Sequence, residues 1–546
     1  MHSFRHRLLV LIPLVLASIT PSSHANAAPA HGEQAAPIER PNIILVLADD
    51  LSRRQSTFLP EGEGRALMPT LDRLAHEGTV LGNLRSPSPI CTPSRFALLS
   101  GRYACRSRHP WFTGEMERDG QSVVQFNTFL VEGDRTLPMM LRDAGYATGA
   151  VGKDHVIAVP GYEKLAYESD PTDPTVHAKM LANAEALEKA FHNAGFDYAK
   201  SLYFGNPDAD GIKALAVHNQ EWITAAGLDF IEQNAGHPFF LYIATTLTHG
   251  PYAPERSWKA DPRITPVGLL DEVPRVQAPR DTIEPRLRAA GIHTPNAGAV
   301  LWLDDAMTAI VDKLRGLGIG SRTLIIFLGD HGTEAKGTCY EAGLLTPGFV
   351  WREGGFDARS PVHDDIQLMD LTATILDFAG ADTGADLDGR SIRPLLDERG
   401  RWEARPIYSE VGYSRAVIAG GFKYLALRYP QWALDMSLDE RAAILQKTND
   451  RLRERGIEPL TEDPNAPFSH LFLIPGGHDA DRAAIGHYPA YYEPDQLYDL
   501  TADPDEQHNL ANDPAYADRL EAMKRLLAGY VHDLPGGFGE FEAMQP

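Results

Sequence analysis

The stretch NIILVLADD, residues 42–50, combines a continuous apolar run with two carboxylates at its end. A run of this length without alternation predicts a strand that is buried on both faces, as in a parallel sheet. Two later stretches repeat the pattern: PFFLYIATTLTHG (238–250) runs into a histidine, and RTLIIFLGDHG (322–332) runs into an aspartate and a histidine. The three stretches predict parallel strands with polar side chains at their carboxyl ends.

Helical patterns alternate with these strands. Amphipathic spacing and terminal glycines predict helices within 68–80, 136–145, 219–236 and 299–320, and a further strand follows the second of these helices. Alternating strands and helices are typical of the α/β class. We therefore predict a large, mostly parallel central sheet that is flanked by helices on both faces.

The pattern changes after about residue 395. Residues 405–430 alternate partially and contain glycine pairs, which predicts an antiparallel hairpin, and residues 495–531 predict a strand, a turn and a helix capped near Asp513. We predict a catalytic domain at 38–398 and a smaller C-terminal subdomain at 399–546, built on an antiparallel sheet and a helix.

The N-terminal 27 residues have the features of a secretory signal peptide. A basic start precedes the apolar run LLVLIPLVLASI (8–19), and small residues lead to a cleavage site after Ala27. A retained anchor is the alternative, but a membrane span needs about 20 apolar residues. We expect export to the periplasm or the exterior, with no membrane partner.

The composition limits the partners of the protein. Its 51 Lys and Arg against 74 Asp and Glu give a formal net charge of −23. Such a surface repels nucleic acid and anionic membranes, so no nucleic-acid partner is expected. A cleft that holds a few cations can still bind a short anionic substrate, whereas a long polyanion is disfavoured.

Three cysteines, Cys91, Cys105 and Cys339, are too few for a disulfide framework in a chain of 546 residues. Pairing of Cys105 with Cys339 is one alternative, and it leaves Cys91 without a partner. Cys91 therefore needs a chemical explanation.

The predicted strand ends bring together candidate metal ligands. A single aspartate after a strand is commonly a helix cap or a solvated loop residue. Two such groups at one sheet edge favour a shared cation; they are Asp49 with Asp50, and Asp330 with His331. Carboxylate oxygens suit Ca²⁺ or Mg²⁺, whereas the histidine leaves zinc and manganese open.

Cys91 lies in CTPSR (91–95), which LLSGR (98–102) follows closely. This pair of motifs resembles the signature of the formylglycine-dependent sulfatases, the type I sulfatases of the alkaline phosphatase superfamily. Other segments resemble that family's motifs in the same order: LADD (47–50), GYATGAVGKDH (145–155), THGPYAP (248–254), LGDHGTEAKGTCYEAG (328–343) and LYDLTADPDEQHNL (497–510).

The resemblance implies a function and a cofactor set. Cys91 would be oxidised to formylglycine by a maturation enzyme, and a hydroxyl of the hydrated aldehyde would attack the sulfur of a sulfate ester. The second hydroxyl would then lose its proton and allow sulfate to leave. A divalent cation, Ca²⁺ or alternatively Mg²⁺ or another metal, would neutralise the sulfate oxygens.

The resemblance also implies roles for individual residues. The metal ligands would be Asp49, Asp50, Asp330, His331 and the modified Cys91. Arg95 and Lys153 would hold the hydrated aldehyde, and His155 would accept its proton. His249 and Lys336 would contact the sulfate and protonate the leaving oxygen. Each basic residue has the alternative of an ordinary strand-end, helix or loop residue.

The sequence departs from the family pattern at two site positions. His331 stands where many members have asparagine, which leaves the metal identity open. The segment GKDHVI (152–157) replaces the usual GKWHLG, so Asp154 stands in place of an aromatic residue. A carboxylate there is expected to change the pKa of Lys153 or the shape of the substrate pocket.

Alternative functions also follow from the sequence. A phosphonate monoester or phosphodiester hydrolase of the same superfamily can use the same nucleophile, and a catalytically silent sulfoglycan-binding protein is a third hypothesis. The preferred substrate is a sulfated small molecule or oligosaccharide, above all a carbohydrate sulfate. Six basic residues near the motifs are candidates for a substrate subsite or for solvated surface: Arg53, Arg54, Arg102, Arg106, Arg108 and His109.

Overall fold

The computed structural model describes residues 40–545 except 357–359, 383–386, 398–400, 455, 468 and 472–483. The predicted signal peptide at 1–27 and the predicted domain boundary at 398/399 lie outside the described residues.

The strands are β1 Asn42–Asp49, β2 Thr79–Val80, β3 Leu84–Arg85, β4 Ala147–Lys153, β5 Tyr198–Tyr203, β6 Phe239–Thr248, β7 Ile264–Thr265, β8 Gly268–Leu269, β9 Thr323–Gly329, β10 Gly348–Arg352, β11 Ile366–Gln367, β12 Ile407–Val411, β13 Ser414–Ala419, β14 Phe422–Leu427 and β15 Asp495–Asp499.

The α-helices alternate with the strands over the first part of the chain. Their bounds are α1 Pro69–Glu77, α2 Cys91–Ser100, α3 Pro110–Asp119, α4 Leu137–Asp143, α5 Pro174–Asn193, α6 Gln220–Gln233, α7 Ile283–Ala289, α8 Ala297–Gly316, α9 Glu341–Leu344, α10 Leu368–Ala379, α11 Arg393–Asp397, α12 Gln431–Leu434, α13 Leu438–Glu454 and, after a gap in the described residues, α14 Ala517–Asp533. No helix within the described residues is long and apolar enough to span a membrane.

The main sheet has seven strands in the order β2, β10, β9, β1, β6, β4, β5. The strands from β9 to β5 are parallel to their neighbours, and β10 is antiparallel to both β9 and β2. The prediction of a mostly parallel sheet is confirmed. Because β1 pairs with β6 on one side and β9 on the other, the three predicted strands end beside one another.

Helices cover both faces of this sheet. Alternate β1 residues belong to two separate apolar clusters, with Leu45 on one face and Val46 on the other. The first cluster contains apolar residues of α2, α4, α5 and α10, and the second contains those of α1, α6 and α8. Burial on both sides explains why the strand sequences are continuously apolar instead of alternating.

The C-terminal part forms a four-stranded antiparallel sheet in the order β12, β13, β14, β15. This sheet and helix α14 confirm the predicted architecture of the smaller part. Val417 and Leu527 pack in the same apolar cluster as Leu371 of the main part, so the two parts share a core.

The three cysteines are all free and buried. The backbone N–H of Cys105 donates to Glu410 Oε1 at 3.0 Å, and Cys339 Sγ lies 3.7 Å from Ser414 Oγ. Pairing of Cys105 with Cys339, left open by the sequence, does not occur because the fold places the two thiols in different surroundings.

A buried ion network joins the C-terminal sheet to the main part. Lys423 of β14 lies 3.1 Å from Glu341 Oε1 and 2.8 Å from Glu506 Oε1, and Arg85 of β3 pairs with Glu341 at 2.7 Å. The backbone N–H of Glu341 also donates to Glu506 Oε2 at 2.6 Å. These charges are nearly inaccessible to water, so each depends on its partners.

Removal of the Lys423 charge tests this network. We expect Lys423→Met to lower the free energy of unfolding by about 3–5 kcal/mol, because two buried carboxylates lose a cation. Chemical denaturation measures the change. Lys447→Met, at an exposed position of α13, is the matched control and should change stability by no more than about 0.5 kcal/mol. Equal denaturation midpoints for the two variants would contradict the network's role.

Candidate active site

The paired aspartates of β1 occupy the centre of the sheet's carboxyl edge. Asp49 is fully buried, and its two oxygens accept hydrogen bonds from Arg95 Nη2 at 2.9 Å and Lys153 Nζ at 2.6 Å. Burial alone would raise the pKa of Asp49, but the Lys153 and Arg95 charges hold it well below its ordinary value. Asp49 is therefore ionised and fixed between two cations.

Asp50 turns the chain away from the strand, with a φ of 53°. Its backbone N–H donates to Asp330 Oδ1 at 3.0 Å, which connects the ends of β1 and β9. Its carboxylate lies 2.7 Å from Lys336 Nζ and 3.2 Å from His331 Nε2. Asp50 thus contacts several of the predicted site residues at once.

Cys91 is the first residue of α2, a helix whose ten residues are all buried. Its Sγ lies 3.6 Å from His331 Nε2 and 3.6 Å from Lys336 Nζ. Burial alone would raise the pKa of the Cys91 thiol, but the Lys153 and Lys336 charges outweigh it and lower the pKa to about 6. A helix N-terminus also favours negative charge, so position 91 is suited to a nucleophile.

Four predicted residues form a group that can hold a metal ion. Ligand atoms of Asp50, Cys91, Asp330 and His331 all lie within 4.8 Å of one another. His331 Nδ1 lies 2.9 Å from the Gly332 carbonyl oxygen, which accepts its hydrogen bond, and His331 Nε2 is the ring nitrogen that faces the other three residues. Asp49 is outside this set, and its role as a ligand stays a prediction.

Two further observations fit a cation at this position. The buried Asp330 Oδ2 accepts no hydrogen bond from the described residues. Burial raises the pKa of Asp330 to about 7, and a bound cation would favour its ionised form. Carboxylates with one imidazole suit Ca²⁺, Mg²⁺ or another divalent ion.

Asn206 is a site residue that the sequence analysis missed. Its Oδ1 accepts a hydrogen bond from Lys153 Nζ at 2.5 Å, and its Nδ2 lies 3.1 Å from His249 Nε2. His249 Nε2 is also 3.5 Å from Asp50 Oδ2, so this strand-end histidine joins the site. Asn206 follows β5 by three residues, and the strand-end rule that found the other residues applies to it as well.

His155 is held in an unusual backbone conformation with a φ of 63°. The neighbouring Asp154 stabilises the turn, since its Oδ1 accepts hydrogen bonds from the N–H groups of Val156 and Ile157 at 3.2 and 2.8 Å. The unusual residue of the GKDHVI segment therefore has a local structural role. Burial raises the pKa of Asp154 to about 7.

The His155 ring stacks on Phe126 with 5.7 Å between centroids, and its Nδ1 has no hydrogen-bond partner among the described residues. Burial and the nearby Lys153 charge hold the pKa of His155 well below its ordinary value. The imidazole is therefore neutral and able to accept a proton.

The comparisons with known proteins identify the family. The sulfatase family model matches residues 41–381, which is most of the chain. This chain belongs to the sulfatase family. The pig N-acetylgalactosamine-6-sulfatase (Sus scrofa) is 27% identical over 390 residues, which cover 67% of this chain and 68% of that protein. The protein is thus a sulfuric ester hydrolase.

Solved structures share the fold of this sulfatase. One is an enzyme in complex with its substrate D-glucosamine-2-N,6-O-disulfate, with a TM-score of 0.56, 16% identity, and coverage of 93% of this chain and 99% of that chain. Another is the phosphonate monoester hydrolase of Silicibacter pomeroyi, with a TM-score of 0.53, 18% identity, and coverage of 91% and 96%. They confirm the predicted fold class.

The site of the sulfatase opens into a cleft of about 1330 Å³, and Asp50 and Lys336 are among the residues that line it. Of the six basic candidates for a subsite, Arg54 lines this cleft. Three others are ion-paired elsewhere: Arg53 with Glu61, Arg106 with Asp388 and Arg108 with Asp134. Arg102 and His109 also lie outside the cleft lining, and the His109 ring packs against Phe129.

Calcium binding to the sulfatase tests the metal group. A ligand that binds only the folded state stabilises it, by about 2.7 kcal/mol at a hundredfold excess over Kd, so calcium should raise the Tm of chelator-treated protein. Asp330→Asn should abolish this rise, because it removes a carboxylate from the group. Asp312→Asn on the exposed face of α8 is the matched control. Differential scanning calorimetry measures the shift, and the same rise in all three proteins would place calcium elsewhere.

Proposed function

We propose that this protein is an exported sulfatase that hydrolyses sulfate esters of carbohydrates through formylglycine at position 91 and a divalent cation. The observation that carries the proposal is the position of Cys91 Sγ, at the N-terminus of a buried helix and 3.6 Å from both His331 Nε2 and Lys336 Nζ. The motif CTPSR supplies the recognition pattern for the maturation enzyme that oxidises the cysteine.

The burial of Cys91 supports an order of events. Cys91, Pro93 and Arg95 belong to a helix that is completely buried, so the folded protein does not present the motif to another protein. We therefore infer that the formylglycine-generating enzyme acts before the chain folds, with an external oxidant such as molecular oxygen taking up the two electrons and the cysteine sulfur leaving as sulfide. The predicted export signal at 1–27 is consistent with modification of an unfolded chain.

The cation and formylglycine would have different roles from those of the surrounding side chains. The cation would withdraw charge from the sulfate oxygens, and hydrated formylglycine would supply two hydroxyl groups on one carbon. Arg95 and Lys153 are held in place by Asp49 at the base of the site. Their charges lower the pKa of an acidic group at position 91, as they do for any neighbour that becomes negative.

Two partly exposed residues beside Asp50 are suited to the sulfate and the leaving oxygen. Burial would lower the pKa of Lys336, but the Cys91 and Asp50 charges raise it well above its ordinary value, so the ammonium stays charged and binds anions. The His249 side chain is 22% exposed and lies 3.5 Å from Asp50, and in its protonated form it would donate a proton to the leaving alcohol oxygen when the S–O bond breaks. Neutral His155 can accept the proton of the second hydroxyl.

The proposed substrate class rests on relatives and on the cleft. The pig relative is named for an N-acetylgalactosamine 6-sulfate, and one structural neighbour holds a glucosamine disulfate as its substrate. The cleft beside Asp50 and Lys336 has room for a sugar that carries the ester. A catalytically silent binding protein is disfavoured because residues suited to the roles of nucleophile, proton transfer and anion binding lie together in the site.

Mass spectrometry tests the modification. In protein made with the maturation enzyme, the peptide that contains residue 91 should have the mass of the aldehyde or its hydrate. Peptides with Cys105 and Cys339 are internal controls and should keep thiols. A fully active preparation with an unmodified thiol at position 91 would disprove the proposed nucleophile.

The Cys91→Ser variant tests the need for two hydroxyl groups. A serine hydroxyl can attack sulfur, but it lacks the second hydroxyl on the same carbon. We expect a sulfate ester to persist at position 91 and turnover to stop, whereas Cys91→Ala should bind metal and remain unmodified. Intact-protein mass spectrometry after incubation with an aryl sulfate measures both results. Multiple turnovers by Cys91→Ser would contradict the mechanism.

A phosphonate monoester or phosphodiester hydrolase is the second candidate, because structural neighbours include an enzyme of that activity. Rates on a sulfate monoester and a phosphodiester with the same chromophore separate the two functions. We expect a higher kcat/KM for the sulfate ester. A higher kcat/KM for the phosphodiester would favour the alternative.

A further inference from the structure

The cleft next to the active site is larger than a single sulfated sugar needs. Its volume of about 1330 Å³ exceeds the range of about 300–1,000 Å³ that is usual for small-molecule pockets. Asp50 and Lys336 connect it to the active site, and Tyr252, Leu287 and Ile292 add apolar surface that suits the C–H faces of sugar rings. The cleft can therefore hold several linked sugars.

Most charges that line the cleft already have partners. Lys336 pairs with Asp50 at 2.7 Å, and Glu284 pairs with Lys259 at 2.6 Å. Glu334 accepts a hydrogen bond from Ser52 Oγ. The two ion pairs contribute little net charge to the cleft, whereas Glu334 keeps its negative charge because a hydroxyl donor does not neutralise it.

Two arginines on the cleft wall differ from these groups. Arg288, at the end of α7, is exposed and has no ion pair among the described residues. Arg54 is 63% exposed at its side chain and forms only a long ion pair, with 4.0 Å between its Nε and Glu334 Oε1. Both guanidinium groups are available to a ligand, on a protein whose net charge is −23.

We propose that the cleft binds an oligosaccharide with a second anionic group, and that Arg54 and Arg288 bind this group. A guanidinium presents paired N–H donors that match the oxygens of a sulfate or carboxylate. Without such cations, the negative protein would repel a second charge on the substrate. This inference rests on the proposed sulfatase function, which assigns the ester to Lys336 and leaves the second anion to the other cations of the cleft lining.

Competition with an aryl sulfate tests the inference. The probes are three disaccharides that inhibit its hydrolysis: a sulfated uronate disaccharide, its unsulfated form with the carboxylate alone, and an unsulfated form whose carboxyl is reduced to an alcohol. We expect Arg54→Gln and Arg288→Gln to raise the inhibition constant of an anionic disaccharide about tenfold more than they raise the KM of the aryl sulfate. The inhibition constant of the neutral disaccharide should be the same for wild type, Arg54→Gln and Arg288→Gln.

The charged probes identify the anion. An effect on both of them indicates that the arginines bind the carboxylate as the second anion, whereas an effect on the sulfated form alone would place the arginines at the ester itself and overturn the proposal. Arg451→Gln, at an exposed position of α13, is the matched control and should leave all constants unchanged. Inhibition constants that are the same in wild type, Arg54→Gln and Arg288→Gln would overturn the proposal.

Failure of the proposed sulfatase function can be distinguished from failure of the proposed anion binding in the cleft. If the aryl sulfate is not hydrolysed by protein with the modified residue 91, the proposed function fails. Titration calorimetry with the same three disaccharides then tests the cleft alone. Loss of anionic disaccharide binding in Arg288→Gln supports the inference, and unchanged binding overturns it.

Discussion

The mutual neutralisation of buried charges at the carboxyl edge of the main sheet is the constraint on which the site depends. Three carboxylates, Asp49, Asp50 and Asp330, meet three cations, Arg95, Lys153 and Lys336, in a region with little water. A buried ion without a partner costs several kcal/mol, so each of these groups requires the others. This balance holds the side chains in place before any substrate arrives. Under the proposed function, the same charges would then stabilise a negative group at position 91 and a bound sulfate.

Backbone conformation adds a second constraint at the same edge. Asp50 and His155 both have φ values in the left-handed region, which costs energy for residues other than glycine. Each is compensated by specific hydrogen bonds, from the Asp50 N–H to Asp330 and from the turn amides to Asp154. The unusual Asp154 therefore supports the geometry of His155 instead of forming part of a substrate pocket. A large aromatic residue at this position would need a different way to stabilise the turn.

The C-terminal sheet contributes to the site from a distance. Its Lys423 and the C-terminal motif residue Glu506 hold Glu341, which begins α9 directly after the loop that carries His331 and Lys336. Arg85 binds the same glutamate and lies just before the segment that leads to Cys91. The network thus joins the nucleophile segment, the metal segment and the C-terminal part. The network gives a physical reason why the segment 497–510, which is far from the site in sequence, is among the motifs of the family.

The sequence by itself determined the α/β class, the buried and mostly parallel sheet and the antiparallel C-terminal sheet with its helix, and it supplied the candidate site residues. It did so because apolar runs encode burial on both faces, and because parallel strands bring their carboxyl ends to one edge. Only the tertiary structure decided which loop residues join that edge. The strand-end position of Asn206 is visible in the sequence, but its contacts with Lys153 and His249 depend on how the neighbouring strands pack. The place of Arg288 on the cleft wall and the separation of Cys105 from Cys339 depend on the packing of distant segments, and no local pattern encodes them. The six basic residues near the motifs illustrate the same point. Of these six, only Arg54 lines the cleft. Arg53, Arg106 and Arg108 instead form ion pairs with carboxylates elsewhere in the fold.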